Sequence, residues 1–399
     1  MKPINSLHLP IICVVIAMWS SCEVDRKSIT EEKASTNSSV ELPPQVELRY
    51  AQNFSVSYHS NFKLVNLRYK SEVKEMNYDQ RLVLIDRGVS KSKLPDSLQN
   101  DWIIEVPVKS VAANDDGEIT RLKSLGLLDA IAGMGGGAIY DAELRSRWER
   151  KEIASIGYSF HSVPQPELLM SARADLLILH TFDNERLDGM EKLRKLGINA
   201  VPQFAWAEPD FLGKAEWLKY SALFFNKEKE ATALFDSIVS RCHELMAKVD
   251  EFQTRQTSFL LYRPSDEADW KAHLNDFYSS YLQAVSNNVL KDNGPTHSVG
   301  ITNEMLLNEA KDADFWIVNS TVDTDWPPAN YLNSFKAYRT GNVYHYQKRT
   351  RHEHNAYDWY ETPQVRPDMV LEDLVSIFYP KILPDHELIY LDKVELTKR

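Results

Sequence analysis

The sequence predicts an α/β protein made of two similar lobes with a ligand cleft between them. A glutamate-led helical segment followed by an apolar strand occurs once in each half, at 167–179 and at 304–318. Strands alternate with helices in both halves, which is typical of α/β lobes with mainly parallel sheets. A helix-length segment without glycine or proline, 227–252, separates the two halves. Together these patterns predict one lobe on each side of a long helix.

The first residues have the pattern of a targeting segment. The apolar run from Leu9 to Met18 is too short to span a bilayer comfortably, so a cleaved signal fits better than a membrane anchor. Small residues then precede Cys22, which resembles a bacterial lipobox in which that cysteine is lipidated. We predict a lipoprotein signal peptide at 1–21, and the alternative is an ordinary secretory signal with a nearby cysteine. The predicted location is the cell envelope, anchored and facing the periplasm, with outer-membrane or surface placement also open.

Composition limits the classes of function. Residues 22–46 are polar and are predicted to form a flexible tether with a root-mean-square reach of roughly 25–30 Å. The remaining chain exceeds the usual size of a single core, which favours two lobes. Beyond Cys13 and Cys22 only Cys242 is left, so no internal disulfide is expected. The net charge of −11 argues against nucleic acid as a partner.

The N-terminal lobe is predicted at 47–208. Strands are expected at 54–58, 62–69, 82–86 and 103–108. Helices at 118–125, 141–149, 167–173 and 184–195 then alternate with strands at 130–133, 175–180 and 199–204.

A linking helical segment is predicted at 209–255, because the apolar residues of 227–252 recur on one helical face. At 1.5 Å per residue this helix spans roughly 39 Å, long enough for a strut along both lobes. The alternative is a long surface helix within one lobe. The C-terminal lobe is predicted at 256–399, with strands at 258–262, 315–318 and 342–346 and helices at 277–285 and 367–378. Pro367 suits the first turn of the last helix.

Two motifs could carry chemistry. Residues 133–138 match the dinucleotide pattern G-x-G-x-x-A, but 152–157 offers no acidic residue at its end for a ribose, so a glycine turn facing the cleft is preferred. Residues 348–354 form a basic loop whose arginines suit carboxylates, catecholates or phosphates. The alternative for this loop is a solvated surface. A third alternative is metal ligation by His352 and His354, for which the sequence offers no further ligand at a suitable spacing. Nucleophile-elbow, P-loop and zinc-hydrolase motifs do not occur, so no catalytic residue is predicted.

The order and spacing of five segments resemble the class III substrate-binding proteins of ABC importers, which serve iron-siderophores, haem and cobalamin. These segments are 122–133, 167–178, 208–217, 304–318 and 366–380, and the resemblance covers about 50–395. It implies two Rossmann-like lobes joined by a long rigid α-helix, no catalysis, no cofactor and a monomer. It also implies that Glu167 and Glu304, at opposite lobe tips, dock on arginines of a membrane permease. The alternative for each is an acid that stabilises the first turn of its helix.

Loop positions supply the ligand-binding candidates. They are Ser110, Val111, Met134, Tyr140, His180, Phe182, Phe204 and Trp206 in the first lobe, and Trp270, Trp326, Arg349 and Arg351 in the second. Aromatic walls with a few cations suit a large, flat, partly anionic chelate. The resulting interpretation is a lipid-anchored importer component that captures an iron-siderophore, haem or cobalamin. The alternatives are a two-lobed α/β enzyme that uses the glycine turn, and a surface scavenger without a transporter.

Overall fold

The computed structural model describes residues 45–72, 74–158, 160–262, 270–291, 298–319 and 329–395. In these residues the first lobe opens with a four-stranded sheet in the order β1-β2-β3-β4. Its strands are β1 (Phe54–Tyr58), β2 (Phe62–Ser71), β3 (Met76–Asp86) and β4 (Trp102–Val106). β2 pairs antiparallel with β1 and β3, and β4 runs parallel to β3. Val65, Leu67 and Tyr69 alternate along β2 and are buried, so one face of this sheet packs on the lobe's core.

A five-stranded parallel sheet forms the rest of the first lobe. Its order is β7-β6-β5-β8-β9. Its elements are β5 (Val111–Ala113), α1 (Asp116–Ser124), β6 (Ile131–Met134), α2 (Ala142–Glu149), β7 (Ala154–Ser155), α3 (Pro166–Ala172), β8 (Leu176–His180), α4 (Asn184–Lys195) and β9 (Ala200–Gln203). Strands β5, β8 and β9 are mainly apolar and almost wholly buried, as expected for a parallel sheet covered on both faces. Because these strands run in one direction, their carboxyl ends share one edge.

Two helices link the lobes in sequence, α5 (Phe211–Leu223) and α6 (Glu228–Asp250). The buried apolar side chains of α6 lie in the core of the second lobe. The helix also contacts the first lobe through Arg49, Tyr50 and a buried ion pair between Glu228 and Lys63 of β2. Residues from α5 enter the cores of both lobes. Both helices lie within the predicted linking segment 209–255, and α5 is the one whose side chains pack in both cores. The prediction that the longer helix α6 is the strut between the lobes stays a prediction.

The second lobe is built on one mixed sheet. Among the described residues its order is β13-β11-β10-β14-β15-β18, with β12 beside β10. The elements are β10 (Thr257–Tyr262), β11 (Lys271–His273), α7 (Phe277–Val285), β12 (Asn287–Asn288), β13 (Ser298–Gly300), α8 (Asn303–Ala310), β14 (Phe315–Val318), α9 (Ala329–Leu332), α10 (Lys336–Arg339), β15 (Val343–His345), β16 (Thr350–Arg351), β17 (Ala356–Tyr357), α11 (Pro367–Phe378) and β18 (Asp392–Lys393). Leu260 and Ile317 face a core shared with α6 and α11, whereas Phe259 and Trp316 face a second core on the other side.

The α/β, two-lobed prediction is confirmed, and most predicted elements occur within two residues of their expected ends. The clearest difference is β3, which begins at Met76 rather than at residue 82 because Met76 and Tyr78 pair with β2 and are buried. The predicted domain boundaries fall just before α5 and just before β10, and they stay predictions. Within the described part of the chain, no helix combines the length and apolar character needed to cross a membrane.

Candidate ligand site at the junction of the lobes

The lobes meet along α5, because this helix has apolar residues on two sides. Trp217, Tyr220 and Leu223, at helical spacing, pack in the first core. Leu212 and Leu218, on another side of the helix, pack in the second core. The helix is therefore fixed between the lobes and can hold its polar residues at their junction.

Two buried carboxylates tie the start of the first lobe to this region. Glu216 accepts the backbone N–H groups of Tyr50 at 2.8 Å and Ala51 at 2.9 Å, and it pairs with Lys219 at 2.7 Å. Glu208 accepts the backbone N–H of residue 52 at 2.9 Å and the Trp217 indole N–H at 2.8 Å. Burial raises the pKa of Glu208, and these hydrogen bonds oppose the shift. The segment around 208–217 that carried part of the family resemblance thus has a structural role.

The carboxyl edge of the parallel sheet presents an aspartate–histidine pair at the junction. Asp115 caps α1 by accepting the Glu118 N–H at 3.0 Å. Its other oxygen lies 3.1 Å from Nδ1 of His180, which ends β8. Burial raises the pKa of Asp115, but the neighbouring His180 and Arg121 outweigh it and bring the pKa down to about 2. Asp115 is therefore ionised throughout the physiological range.

The second lobe presents a similar pair. Asp276 caps α7 by accepting the Ser279 N–H at 2.8 Å. Its second oxygen lies 2.6 Å from Nδ1 of His273, at the end of β11. The other nitrogen of His273 lies 3.2 Å from the amide of Asn319, and the Tyr262 ring stacks on the imidazole at 4.3 Å between centroids. Each lobe thus brings a helix-capping aspartate and a strand-end histidine to the junction.

Lys214 of α5 lies near the capping aspartates of both pairs. The carboxylates of Asp115 and Asp276 both favour the charged form of its ammonium group, so Lys214 lies within electrostatic range of the aspartates that cap α1 and α7. Its ammonium nitrogen is 3.3 Å from the centroid of the Phe277 ring and 5.9 Å from that of Tyr278. Burial and the nearby Arg121 lower the pKa of Lys214 to about 7.

A contact centred on Tyr140 also joins the lobes. The guanidinium groups of Arg349 and Arg351 each lie 4.8 Å from the Tyr140 ring centroid. Arg351 Nε donates to the Tyr140 carbonyl at 3.2 Å, and Arg349 forms an ion pair with the buried Asp358. Both arginines are therefore engaged in holding the lobes together, and their predicted contact with a ligand anion stays a proposal.

Glu361 completes this contact. Its carboxylate accepts the backbone N–H groups of Tyr140 and Asp141, the latter at 3.1 Å. Glu361 is only 2% exposed, and burial raises its pKa from the ordinary 4.5 to about 8. Burial and the proximity of Glu361 also raise the pKa of Asp116 well above its ordinary value. The Glu361 carboxyl is therefore mostly protonated at neutral pH.

The glycine turn after β6 has a packing role. A Cβ on Gly135 would overlap the ring of Tyr158, and a Cβ on Gly137 would overlap the ring of Trp148. Aromatic side chains therefore occupy the close approach that a dinucleotide-binding turn leaves for a pyrophosphate. This packing does not favour the enzyme alternative.

The structure distributes the predicted ligand residues between surface and core. His180, Phe182, Trp206 and Tyr140 are partly exposed, whereas Val111, Met134, Phe204 and Trp270 are buried in the cores. Ser110 and Val111 lie at the amino end of β5, beside Asp175, and so at the edge opposite the capping aspartate. Trp326 and Cys22 lie outside the described residues.

The sequence analysis missed Asp115, Lys214, His273, Asp276 and Glu361. The two aspartates had a local signal, since each immediately precedes a helix and aspartate is a preferred N-cap residue. Lys214 and Glu361 had no such signal, because only the packing of one lobe on the other gives them their surroundings.

The predicted docking glutamates are both exposed in the first turns of their helices, Glu167 on α3 and Glu304 on α8. Exposed apolar side chains lie close by in sequence, with Met170 70% exposed and Met305 52% exposed. Each glutamate therefore belongs to a surface of mixed acidic and apolar character.

Comparison with known proteins supports the fold. No protein-family model matches the chain. An uncharacterised lipoprotein of Methanocaldococcus jannaschii, MJ0878, is 24% identical, and the alignment covers 94% of this chain and 93% of the relative. A possible iron-binding (periplasmic solute-binding) protein of Staphylococcus epidermidis superimposes with a TM-score of 0.53 at 16% identity, over 68% of this chain and 99% of that one.

A second solved structure agrees with the first. The periplasmic haem-binding protein HutB of Vibrio cholerae also gives a TM-score of 0.53, at 12% identity, over 67% of this chain and 98% of that one. The chain has the two-lobed fold of periplasmic solute-binding proteins.

Proposed function

We propose that this protein is the lipid-anchored solute-binding component of an ABC importer, which captures an iron-siderophore, haem or cobalamin chelate and delivers it to a permease. The observation that carries the proposal is the junction itself. Two α/β lobes bring helix-capping aspartates, strand-end histidines and aromatic rings together along α5, in the fold of periplasmic binding proteins.

The side chains at and beside this junction favour a large, partly aromatic ligand. Phe182 and Trp206 follow β8 and β9 at the carboxyl edge of the five-stranded parallel sheet and are partly exposed. The ammonium nitrogen of Lys74 lies 4.0 Å from the Trp206 ring centroid. Tyr278 is partly exposed next to Lys214, and Tyr360 is 49% exposed. Flat aromatic surfaces with few polar groups suit a macrocycle or a metal chelate. The proposed ligand set therefore includes His180, Phe182, Trp206 and Tyr140. The proposed anion contact of Arg349 and Arg351 lies beside Tyr140.

The docking surface is proposed around Glu167 and Glu304. Two exposed carboxylates at a fixed separation give a contact that sets orientation, and the adjacent exposed methionines add apolar area. Lipidation at Cys22 is proposed from the lipobox-like sequence, and the name of the M. jannaschii relative supports it.

Ligand capture is tested by fluorescence titration of the purified protein with ferric siderophores, haemin and cyanocobalamin. Coloured iron and cobalt chelates should quench Trp206, which lies at the proposed site. We expect saturable quenching with micromolar or tighter affinity for at least one member of the panel. The absence of binding by every member would refute chelate capture.

Delivery is tested with the double variant Glu167→Ala, Glu304→Ala. Uptake by cells should be abolished while ligand affinity stays nearly unchanged, because both residues are exposed in the first turns of their helices and neither belongs to the proposed ligand set. Glu185→Ala with Glu309→Ala is the matched control, since both are exposed helical acids whose loss changes the charge equally. Normal uptake by the first variant would instead favour a surface scavenger without a transporter.

A further inference from the structure

We propose that the Lys214 ammonium binds an anionic group of the captured chelate, a carboxylate or a catecholate, at the junction of the two lobes. This inference rests on the proposed function and specifies the chemistry of its ligand.

The position of Lys214 is set by the packing of α5. Neighbouring Ala215 and Leu212 are buried in the second core, while Trp217 is buried in the first. Phe211, at the start of the helix, donates its N–H to Ser280 Oγ at 3.1 Å and stacks on Tyr281 at 4.6 Å between centroids. The backbone around Lys214 is therefore held by both lobes, and the side chain is only partly exposed.

The charges that face Lys214 already have other partners. Asp115 on α1 is occupied by His180 and the Glu118 N–H, and Asp276 on α7 is occupied by His273 and the Ser279 N–H. Arg121 on α1, the remaining charged group acting on Lys214, pairs with Glu118 at 3.3 Å.

Among the described residues, the ammonium of Lys214 makes ring contacts with Phe277 and Tyr278 but forms no hydrogen bond or ion pair. A partly desolvated cation without an anionic partner is costly, and a ligand anion would offset that cost.

The lowered pKa of Lys214 is consistent with this position and adds a second observable. With a pKa of about 7, the amine is only partly protonated at neutral pH in the free protein. An anion bound beside it would favour the charged form, so binding should take up a proton above this pH. Affinity for an anionic chelate should then fall by roughly 30-fold between about pH 6 and about pH 8.5, following the protonated fraction of a single site.

The chelates used to test the inference form two pairs whose members differ in charge. Haemin is compared with haemin dimethyl ester, which lacks the two carboxylates. Ferric enterobactin, an anionic tricatecholate, is compared with ferrichrome, an uncharged trihydroxamate. Each is titrated into the wild-type protein, Lys214→Met and Lys195→Met, with circular dichroism to verify folding. Lys195 is an exposed lysine at the end of α4, so it controls for net charge.

We expect at least tenfold weaker binding of an anionic chelate to Lys214→Met, no change for Lys195→Met, and little change for the uncharged member of the pair. Tenfold corresponds to about 1.4 kcal/mol, at the low end for truncating one side of a desolvated charge pair. Equal affinity of the wild-type protein and Lys214→Met for an anionic chelate would overturn the inference. Binding of only the uncharged chelates by the wild-type protein would overturn it as well. In both cases the proposal that the protein captures a chelate would stand. If the wild-type protein binds none of the four and does not bind cyanocobalamin either, the proposed function fails and the inference fails with it.

Discussion

Replacing Glu361 by glutamine should make the protein's stability less dependent on pH. The pKa of this buried carboxyl is raised from 4.5 to about 8, so the folded state binds a proton that the unfolded state releases between these values. The contribution of Glu361 to the unfolding free energy should therefore fall as the pH rises from about 4.5 to about 8, whereas Lys214, with its lowered pKa, contributes in the opposite direction above about pH 7 in the wild-type protein and in both variants compared with it. Between about pH 5.5 and about pH 8.5 the contribution of this single group is on the order of 3 kcal/mol, at about 1.36 kcal/mol for each pKa unit.

The measurement is urea unfolding at both pH values for the wild-type protein, Glu361→Gln and Glu387→Gln. Glutamine does not titrate, so the decrease in unfolding free energy that Glu361 contributes between the two pH values should be absent from Glu361→Gln. A weakened hydrogen bond to Tyr140 or Asp141 would lower the stability of this variant equally at both pH values. Removing the Glu361 carboxylate should also lower the pKa of Asp116, which further reduces the dependence of stability on pH. Glu387 is exposed, and its replacement should leave the wild-type pH dependence intact. An equal fall in the wild-type protein and Glu361→Gln would refute the assignment of a buried, protonated carboxyl at the junction.

Three further predictions concern a packed glycine, a buried ion pair and the predicted lipid anchor. Gly137→Ala should lower the unfolding free energy by about 1–3 kcal/mol, because its Cβ overlaps the Trp148 ring, whereas Gly300→Ala, where a Cβ meets open space, serves as the control in urea unfolding. Glu216→Ala should cost about 3–5 kcal/mol in the same assay, since it leaves a buried lysine and several backbone N–H groups without their partner. Cys22→Ala should abolish metabolic lipid labelling and move the protein out of the membrane fraction, and unchanged partitioning would contradict the lipobox interpretation.

Local patterns were sufficient where one element's sequence decides its structure. The helices at Asn184–Lys195, Phe277–Val285 and Pro367–Phe378 occur with the predicted ends, because capping residues and apolar spacing mark their limits. The strand Phe315–Val318 was equally clear as a short apolar run after a helix.

The helix that joins the lobes could not be chosen in this way. The longer α6 shows the stronger amphipathic pattern, and its apolar face indicates one buried side without saying in which lobe. In α5 nearly every residue is buried, which gives no single apolar stripe, and its position between two cores emerges only when both lobes pack. The sequence therefore predicted a linking helical segment at 209–255, but it could not show that α5 within this segment packs in both cores.

The class of fold, the alternation of helices and strands, and the two glutamates at corresponding helix starts could all be predicted from local sequence patterns. The set of polar groups that meet at the junction could not be predicted in this way, because it depends on how the two lobes pack. Lys214, Asp115 and Asp276 are far apart in the chain, and their proximity and altered protonation arise from long-range packing and the loss of solvent. Burial and charge proximity are properties of the folded arrangement, so no local pattern in the chain can encode them on its own.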